Sequence, residues 1–207
     1  MKKTRQTARE LALLGISQLP NNPEKISSKE IQDLVIAAIR ALAIEVREDL
    51  QTASEELQKG ADRLIASELR APDVASARVM VNEAIQLTQI AINRVGVSLE
   101  IPETLQLCNQ KDVRIYAIEI ITSINENKEE IDKLLNQAMV DWRLSRLPRI
   151  DRDILRIAVA EILYLDIPQQ VAISEAIELA KEYSGEDGHK FINGVLRRFV
   201  DKQKANA

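Results

Sequence analysis

Apolar residues recur at alternating spacings of three and four along most of this chain, and this period is the feature that most restricts its fold. The clearest case is the segment 151–165, whose apolar stripe includes Ile154, Ala158 and Ile162. Such spacing places side chains on one face of an α-helix, whereas a half-buried strand needs strict alternation. Glycine and proline, which interrupt helices, number only six each in 207 residues. The sequence therefore predicts an all-α fold.

The same period predicts where the helices lie. Ser27–Glu30 has the pattern of a capping box and marks the start of a long helix, in which we expect a break at Gly60. Small residues at heptad-like spacing follow Pro72, so residues 45–96 are expected to form an antiparallel helical hairpin. The predicted helices cover about 8–19, 27–69, 74–95, 110–124, 128–142, 151–165, 174–183 and 187–201.

Charge is distributed unevenly along the chain. The net charge is −4, but residues 1–9 contribute +4 and residues 188–207 contribute another +4, which leaves −12 on the remainder. Two basic ends on an acidic body suggest one face for a polyanion and another for a basic partner. Basic ends that serve only solubility are the alternative. Lys2, Arg5 and Arg9 would form one stripe on a helix that reached the N terminus.

The sequence lacks the residues from which most active sites are built. It has one histidine, His189, and one cysteine, Cys108, so most metal sites and histidine-based nucleophilic sites cannot be assembled. Gly185 and Gly188 do not have the spacing of a phosphate-binding loop. A site made of carboxylates alone is the remaining catalytic alternative. We therefore expect a binding protein with no enzymatic activity, cofactor or metal.

The sequence also indicates where the protein resides. A single cysteine cannot form an internal disulfide, and no uncharged run approaches the roughly 18 residues of a membrane span. The apolar stretch 11–16 follows basic residues, but it is too short for a secretory signal and no small-residue cleavage site follows it. We expect a cytoplasmic protein.

The only histidine lies in a short turn between two predicted helices, "EYSGEDGHK" at residues 182–190. Asp187 is positioned to cap the following helix, and His189 and Lys190 then occupy its first turn, where free N–H groups favour an anion. With Phe191 beside them, a cation and a ring could hold a phosphate and stack a base of single-stranded RNA. The alternative is structural: Phe191 belongs to the core and His189 braces the turn.

Four stretches of the sequence carry a specific resemblance to a known family. Two of them, "ISEAIELAK" and "DGHKFINGVL", lie within residues 150–199, and "RQTARELAL" and "VRIYAIEIITSINENKEEIDKLL" lie nearer the N terminus. They resemble, in order, the "INEAIELAK" and "DSHKFVNGVL" signatures, the arginine-rich opening and the third-helix region of the NusB transcription antitermination factors. Residues 45–96 have no counterpart in typical members, so we expect a hairpin inserted in a single NusB-like domain that spans residues 1–207.

The resemblance implies a two-subdomain helical bundle that binds boxA-like single-stranded RNA together with the ribosomal protein NusE, in contact with the transcription elongation complex, to promote rRNA transcription. Gln6 and Thr7 stand where the family often adds arginines, and Ser17 where a tyrosine is usual; these departures would weaken RNA binding. The residues expected to bind RNA are Lys2, Lys3, Arg5, Arg9, Tyr116, Lys190 and Phe191, and those expected to form the turn or cap are Asp187 and His189.

Two other functions remain open from the sequence. The first is an RNA-binding module related to the N-terminal domain of rRNA methyltransferases, although the sequence has no strand-rich, glycine-looped cofactor segment. The second is a helical scaffold that oligomerises through the hairpin, with the basic ends incidental. A homodimer is also compatible with the resemblance. Light scattering combined with an RNA titration separates a scaffold from a monomeric RNA-binding protein.

Overall fold

The computed structural model describes residues 2–19, 26–98, 101–140 and 142–206, and all regular secondary structure within these ranges is helical. The all-α prediction is thereby confirmed. A short 3₁₀ turn covers Leu144–Arg146. None of the described helices combines the length and the apolar character needed to cross a membrane. The α-helices are α1 (Lys2–Ser17), α2 (Ser28–Leu69), α3 (Val74–Ser98), α4 (Ile101–Cys108), α5 (Lys111–Ala138), α6 (Arg149–Tyr164), α7 (Gln169–Tyr183) and α8 (Gly188–Asn206).

The first of two compact units comprises Met1–Ile39 and Leu107–Ala207 and contains the main apolar core. In this unit α1 packs against α5 and α6, α6 packs against α5 and α7, and α8 packs against α5, α6 and α7. The apolar residues of each helix repeat every three or four positions and therefore lie on one face. These faces pack against one another in the core. Large side chains that are almost completely buried here include Leu11, Leu13, Ile120, Ile121, Leu135, Ile154, Leu155, Ile192 and Phe199.

The capping box and the bounds of α2 and α6 follow the sequence prediction to within two residues, whereas α1 begins at Lys2, six residues before its predicted start. The N–H of Ser27 donates to Oε2 of Glu30 at 2.7 Å, and the N–H of Glu30 donates to Oγ of Ser27 at 3.4 Å, which confirms the box. Helix α4 was not predicted, although Pro102 is of a type favoured in a first helical turn. Helix α7 begins at Gln169, directly after Pro168 and earlier than predicted.

Helix α5 replaces two predicted helices, 110–124 and 128–142. Asn127 has φ −116° and ψ 19°, outside the helical region, and its side-chain amide donates to the carbonyl of Ser123 at 2.9 Å. The predicted boundary is therefore present as a kink, because an asparagine side chain that bonds to the backbone competes with the helical ladder. The second half of α5 ends at Ala138, before its predicted limit.

The second compact unit, Arg40–Gln106, contains the hairpin of α2 and α3. Helix α2 is continuous through Gly60, so the break expected there is absent. An ideal Cβ on Gly60 would lie 3.3 Å from the carbonyl oxygen of Ala84 on α3, so the glycine allows the two backbones to approach closely. Residues 45–96 lie within this unit, and the single domain with an insertion stays a prediction.

Candidate nucleic-acid interface

The predicted RNA-binding residues of α1 have different environments. Arg5 is exposed, and its guanidinium carbon lies 5.1 Å from the centre of the Tyr116 ring on α5. A guanidinium at this distance over an aromatic face makes a cation–π contact. Lys3 is also exposed, whereas the side chain of Lys2 lies outside the described residues. Helices α1 and α5 thus bring one predicted cation and one predicted aromatic ring together.

Arg9 lies one helical turn after Arg5 and points into the protein, where only 2% of it is exposed. Its Nε donates to both carboxylate oxygens of Glu161 on α6, at 2.8 and 3.0 Å, and its Nη1 donates to Oε2 of Glu175 on α7 at 3.0 Å. One guanidinium thereby joins α1, α6 and α7. In this structure Arg9 is therefore a buried link between helices, without the exposed N–H group that a direct phosphate contact needs.

Tyr116 connects the exposed and the buried parts of this site. Its hydroxyl donates to Oε1 of Glu161, and its ring centre lies 5.9 Å from the guanidinium carbon of Arg9. Burial and the hydrogen bond to Glu161 raise the pKa of Tyr116 above its usual value, so the phenol stays protonated and remains a donor. Because Glu161 holds the hydroxyl, the ring is presented to Arg5 in one orientation.

The ion pairs beneath Tyr116 are costly to disturb. Burial raises the pKa of Glu161 above its usual value, although Arg9 and Tyr116 act in the opposite direction. Loss of one partner from a buried pair leaves an uncompensated charge and costs roughly 3–5 kcal/mol. Nη2 of Arg9 has no hydrogen-bond partner among the described residues. The hydrogen bonds of Arg9 to Glu161 and Glu175 therefore fix α1, α6 and α7 relative to one another beneath the Tyr116 ring.

Sequence reasoning did not identify Glu161 and Glu175 as parts of this site. Glu161 follows Ile154 by seven residues and Ala158 by three, so it occupies the apolar face of α6. An ionisable residue at a position where the period calls for an apolar one indicates a buried partner. That signal was present in the sequence, but the period does not identify which arginine is the partner.

The turn between α7 and α8 carries the second group of predicted residues. Nζ of Lys190 lies 2.8 Å from Oδ1 of Asp187 in an exposed ion pair, which lowers the pKa of Asp187 and raises that of Lys190. The backbone N–H groups of Lys190 and Phe191 donate to the carbonyl of Asp187 at 3.1 and 3.2 Å. His189 and Phe191 are half-buried. Lys190 is therefore accessible to a ligand and Phe191 partly so.

The same turn contains a tight contact between Ser184 and Gly188. The hydroxyl of Ser184 donates to Oδ1 of Asp151, which is buried on α6. A Cβ on Gly188 would lie 1.9 Å from Oγ of Ser184 and 2.7 Å from its Cβ. Only glycine therefore fits at position 188 while Ser184 holds Asp151. Sequence reasoning singled out neither Ser184 nor this role of Asp151.

Helix α7 extends from the Arg9 ion pairs near Arg5 and Tyr116 to the turn that carries Lys190 and Phe191. Glu175 on this helix binds Arg9, and the helix ends at Tyr183, just before the turn that carries Lys190. Among the described residues, no hydrogen bond or ion pair joins Arg5 directly to the turn. The arrangement therefore offers a cation with a fixed ring on α1 and α5, and a cation with a half-buried ring at the start of α8.

Comparison with known proteins gives this geometry a family context. Residues 93–201 match the model of the NusB family. The chain is 60% identical over 203 residues to the transcription antitermination protein NusB of Trichodesmium erythraeum (strain IMS101), with 98% of each protein covered. It is 54% identical over 205 residues to the protein of the same name from Trichormus variabilis, covering 99% of this chain and 97% of that one. A solved structure, T. maritima NusB, is 30% identical with a TM-score of 0.44, covering 75% of this chain and 97% of that one.

Proposed function

The chain belongs to the NusB family of transcription antitermination proteins, and we propose that it binds boxA-like single-stranded RNA together with the ribosomal protein NusE, in contact with the transcription elongation complex. The observation that carries this proposal is the exposed Arg5 guanidinium over the Tyr116 ring, whose hydroxyl Glu161 holds from below. A ring of fixed orientation beside a cation supports base stacking and phosphate contact. We propose a cytoplasmic protein that acts by binding and not by catalysis.

The predicted residues take different roles in this proposal. Arg5 and Lys190 neutralise phosphates, and Phe191 and Tyr116 stack on bases. The ion pair between Lys190 and Asp187 is exposed, so a phosphate can replace the carboxylate at little cost. Arg9 acts indirectly, as a positioning residue that orders the helices beneath the Tyr116 ring. Lys2 and Lys3 extend the basic surface toward the N terminus, and His189 supports the turn.

The basic ribosomal partner is proposed to bind beside α1 and α7. Burial, and next the neighbouring carboxylate of Glu182, raise the pKa of Glu10, and Glu175 acts in the same direction. Carboxylates that repel one another are stabilised by a cation from a partner. The net charge of −12 on residues 10–187 supports a basic protein as the second ligand, and the repulsion between Glu10 and Glu182 adds to this support.

The first experiment compares RNA sequences and salt concentrations. Fluorescence anisotropy would measure the affinity for a labelled boxA-like RNA and for a scrambled RNA, with and without NusE. If about three to five phosphates are neutralised, the logarithm of the affinity should fall with the logarithm of salt concentration at a slope of roughly −2 to −4. Equal affinity for the two RNAs in the presence of NusE would contradict the proposal.

The second experiment tests the Arg5 and Tyr116 surface with paired variants. Arg5→Ala and Tyr116→Ala should each weaken RNA binding, since stacking contributes roughly 1–3 kcal/mol per base. Tyr116→Phe retains the ring and should bind RNA more tightly than Tyr116→Ala. Arg63→Ala, at an exposed arginine of the hairpin, is the matched control and should leave affinity unchanged. Unchanged binding by Arg5→Ala would remove this surface from the proposal.

One side of the hairpin is apolar although it is exposed. Its large side chains recur at intervals of seven and are between 45% and 62% exposed. At about 100° per residue, they lie to one side of the buried seam, whereas the interhelical ion pairs of the hairpin lie to the other. These apolar residues are Leu50, Leu57 and Leu64 on α2 and Ile85 and Ile92 on α3.

We propose that this apolar side binds a second copy of the chain about a two-fold axis at Leu57. In an antiparallel pairing, Leu50 packs against Leu64 of the partner subunit, and Arg47 comes within one residue of the position opposite Glu68 of the partner subunit at both ends. Arg47 and Glu68 are exposed and make no ion pair within the described residues. The pattern supports a dimer because an interface around a two-fold axis must be complementary to itself.

Light scattering after size-exclusion chromatography tests the dimer. The unmodified chain should elute as a dimer at micromolar concentration, and Leu57→Glu should elute as a monomer. Val79→Glu is the control, since Val79 is an exposed apolar residue of α3 that lies away from this side. A monomeric unmodified chain, or a dimeric Leu57→Glu variant, would contradict the dimer. RNA binding by the monomeric variant would in turn exclude the scaffold alternative.

A further inference from the structure

A cavity of about 650 Å³ lies between the C-terminal half of α5, the 3₁₀ turn and the first half of α6. Its lining includes Lys128, Arg143, Arg152 and Arg156, together with Trp142, the single tryptophan of the chain. The volume falls within the range of small-molecule sites, roughly 300–1,000 Å³. None of these residues belongs to the RNA-binding surface proposed above, so the cavity needs a separate explanation.

One of these four cations is already neutralised. Arg156 donates to Oδ1 of Asp132 at 2.8 Å through Nε, and to Oδ2 of Asp132 at 2.8 Å through Nη2. Its Nη1 donates to Oδ1 of Asp153 at 3.0 Å. These bonds leave Oδ2 of Asp153 without a hydrogen-bond partner among the described residues, and this oxygen lies 3.6 Å from Nε of Arg149. The lining itself contains four basic side chains and one carboxylate, Asp132, so positive charge is in excess there.

The other three cations have no such partners. Lys128, Arg143 and Arg152 make no ion pair with any described residue. Nε of Arg152 is buried and has no hydrogen-bond partner there. Burial, and next the positive charge of Arg156, lower the pKa of Lys128, although the carboxylates of Asp132 and Asp153 act in the opposite direction. A buried donor without an acceptor, close to other positive charges, is an environment that an anion stabilises.

Trp142 gives the cavity a flat apolar surface. The indole is 56% exposed, although tryptophan is usually among the most buried residues. An exposed aromatic ring beside several cations is the combination with which proteins hold a base and its phosphate together. The lining thus combines basic side chains with an exposed aromatic ring.

The cavity and the Tyr116 ring are formed by different parts of α5. Lys128 and Asp132 follow Tyr116 by 12 and 16 residues and lie beyond the kink at Asn127, and the cavity lining includes neither Tyr116 nor Arg5. The cavity is therefore a second site and not an extension of the Arg5 surface.

We propose that this cavity binds a nucleotide, with Arg152 and Lys128 on the phosphate, Arg143 at the entrance and Trp142 stacked on the base. The ligand class is a nucleoside phosphate, either free or as one residue of an RNA chain. Arg156 serves as a positioning residue, because its bonds to Asp132 and Asp153 fix the wall from which Arg152 extends.

Trp142 provides a direct readout because no other tryptophan contributes to the fluorescence. The full chain is titrated with uridine 5′-monophosphate, inorganic phosphate, uridine and a five-residue oligouridylate. We expect saturable quenching by the mononucleotide or the oligonucleotide, and at least tenfold weaker effects of phosphate and uridine. At least tenfold tighter binding of the oligonucleotide identifies RNA as the source, and equal affinity per nucleotide identifies the free nucleotide.

Variants with matched controls test the assignment of residues. Arg152→Gln and Lys128→Gln should each weaken binding at least fivefold. Arg143→Gln should do the same without loss of stability, because the Arg143 side chain is exposed and makes no ion pair with a described residue. Lys133→Gln on α5 and Arg146→Gln in the 3₁₀ turn lie outside the lining and should bind as the unmodified chain does. Arg5→Ala should also leave this signal intact, which separates the cavity from the RNA surface. Absence of saturable quenching, or equal affinity of Arg143→Gln and Arg146→Gln, would overturn the proposal.

Discussion

The two compact units of this NusB-family chain use charged and apolar side chains in opposite ways. In the first unit, leucine, isoleucine and phenylalanine fill the core, and Arg9 lies among them at 2% exposure, bonded to two carboxylates. In the hairpin, small residues such as Ala53, Gly60 and Ala84 form the seam, while leucines and isoleucines remain half-exposed. Its ion pairs are exposed as well, with the Arg63 side chain 55% accessible. Buried ion pairs hold the Arg5 and Tyr116 surface of the first unit in place. The apolar residues of the hairpin stay accessible, as the proposed dimer requires.

The largest expected difference between the two units is in the loss of stability when one arginine is removed from each. Arg9→Ala should lower the free energy of unfolding by roughly 3–5 kcal/mol, because Glu161 and Glu175 would remain buried without their cation. Arg63→Ala should lower it by at most about 1 kcal/mol, since its pair with Glu83 is exposed. Urea unfolding followed by circular dichroism measures both.

The double variant Arg9→Met with Glu161→Gln serves as the control for the first effect. It removes both charges of the closest pair and should recover part of the loss, because less uncompensated charge is left inside. Equal losses for Arg9→Ala and Arg63→Ala would mean that the contrast between buried and exposed pairs does not govern stability here.

A smaller effect is expected from glycines of the α7–α8 turn. Gly188→Ala should cost roughly 1–3 kcal/mol, because its Cβ would lie 1.9 Å from Oγ of Ser184 and the turn would have to move. Gly185→Ala, three residues earlier with nothing within 4 Å, should be close to neutral. Thermal unfolding of the two variants gives the comparison, and similar melting temperatures would show that the Ser184 contact is not tight in solution.

In the hairpin, replacement of a glycine by alanine should raise stability instead of lowering it. Gly96→Ala has open space around its Cβ and should stabilise the hairpin by up to about 1 kcal/mol, since alanine favours the helix. At Gly60, the carbonyl oxygen of Ala84 at 3.3 Å should cancel much of that gain. Hydrogen exchange of the α2 and α3 amides reports this local stability. A larger gain from Gly60→Ala than from Gly96→Ala would contradict the close approach of the two helices.

Much of this fold follows from the sequence because its helices are individually amphipathic. The stripe of α6, the capping box at Ser27 and the separation of α2 from α3 are local features. The periodicity, the capping motif and Pro72 were sufficient to predict them. Helix boundaries were less predictable. Two predicted helices form the single helix α5, with a kink at Asn127 where the boundary was expected. Helix α2 continues through Gly60, where packing against α3 compensates for the low helix propensity of glycine.

The site was predictable in its residue types but not in the role of each residue. Arg5 and Arg9 look alike in the sequence, as basic residues of one helix four positions apart. Only the packing of α6 and α7 determines that Arg5 is exposed and that Arg9 meets Glu161 and Glu175. Long-range ion pairs of this kind have no local signature beyond a charged residue on an apolar face, which is why Glu161 was missed.

The smallest expected effect concerns the pH dependence of Glu10 in the first unit. Burial and the nearby Glu182 raise the pKa of Glu10 above its usual value, so its carboxyl binds a proton more tightly in the folded chain than in the unfolded one. The cost of its charge is therefore complete at neutral pH and is relieved as the pH falls through the raised pKa.

Glu10→Gln removes that charge and should raise the melting temperature at pH 7, with a smaller gain at pH 5. Glutamine retains a side chain that can bond to Gln6, so packing changes little. Glu55→Gln is the matched control, because Glu55 is exposed on the hairpin and bonds to Gln51 four residues before it, and it should show no such pH dependence. An equal rise in melting temperature at pH 7 and pH 5 would mean that Glu10→Gln acts through the shape of the side chain and not through repulsion between carboxylates. The repulsion between Glu10 and Glu182 would then no longer support a basic partner.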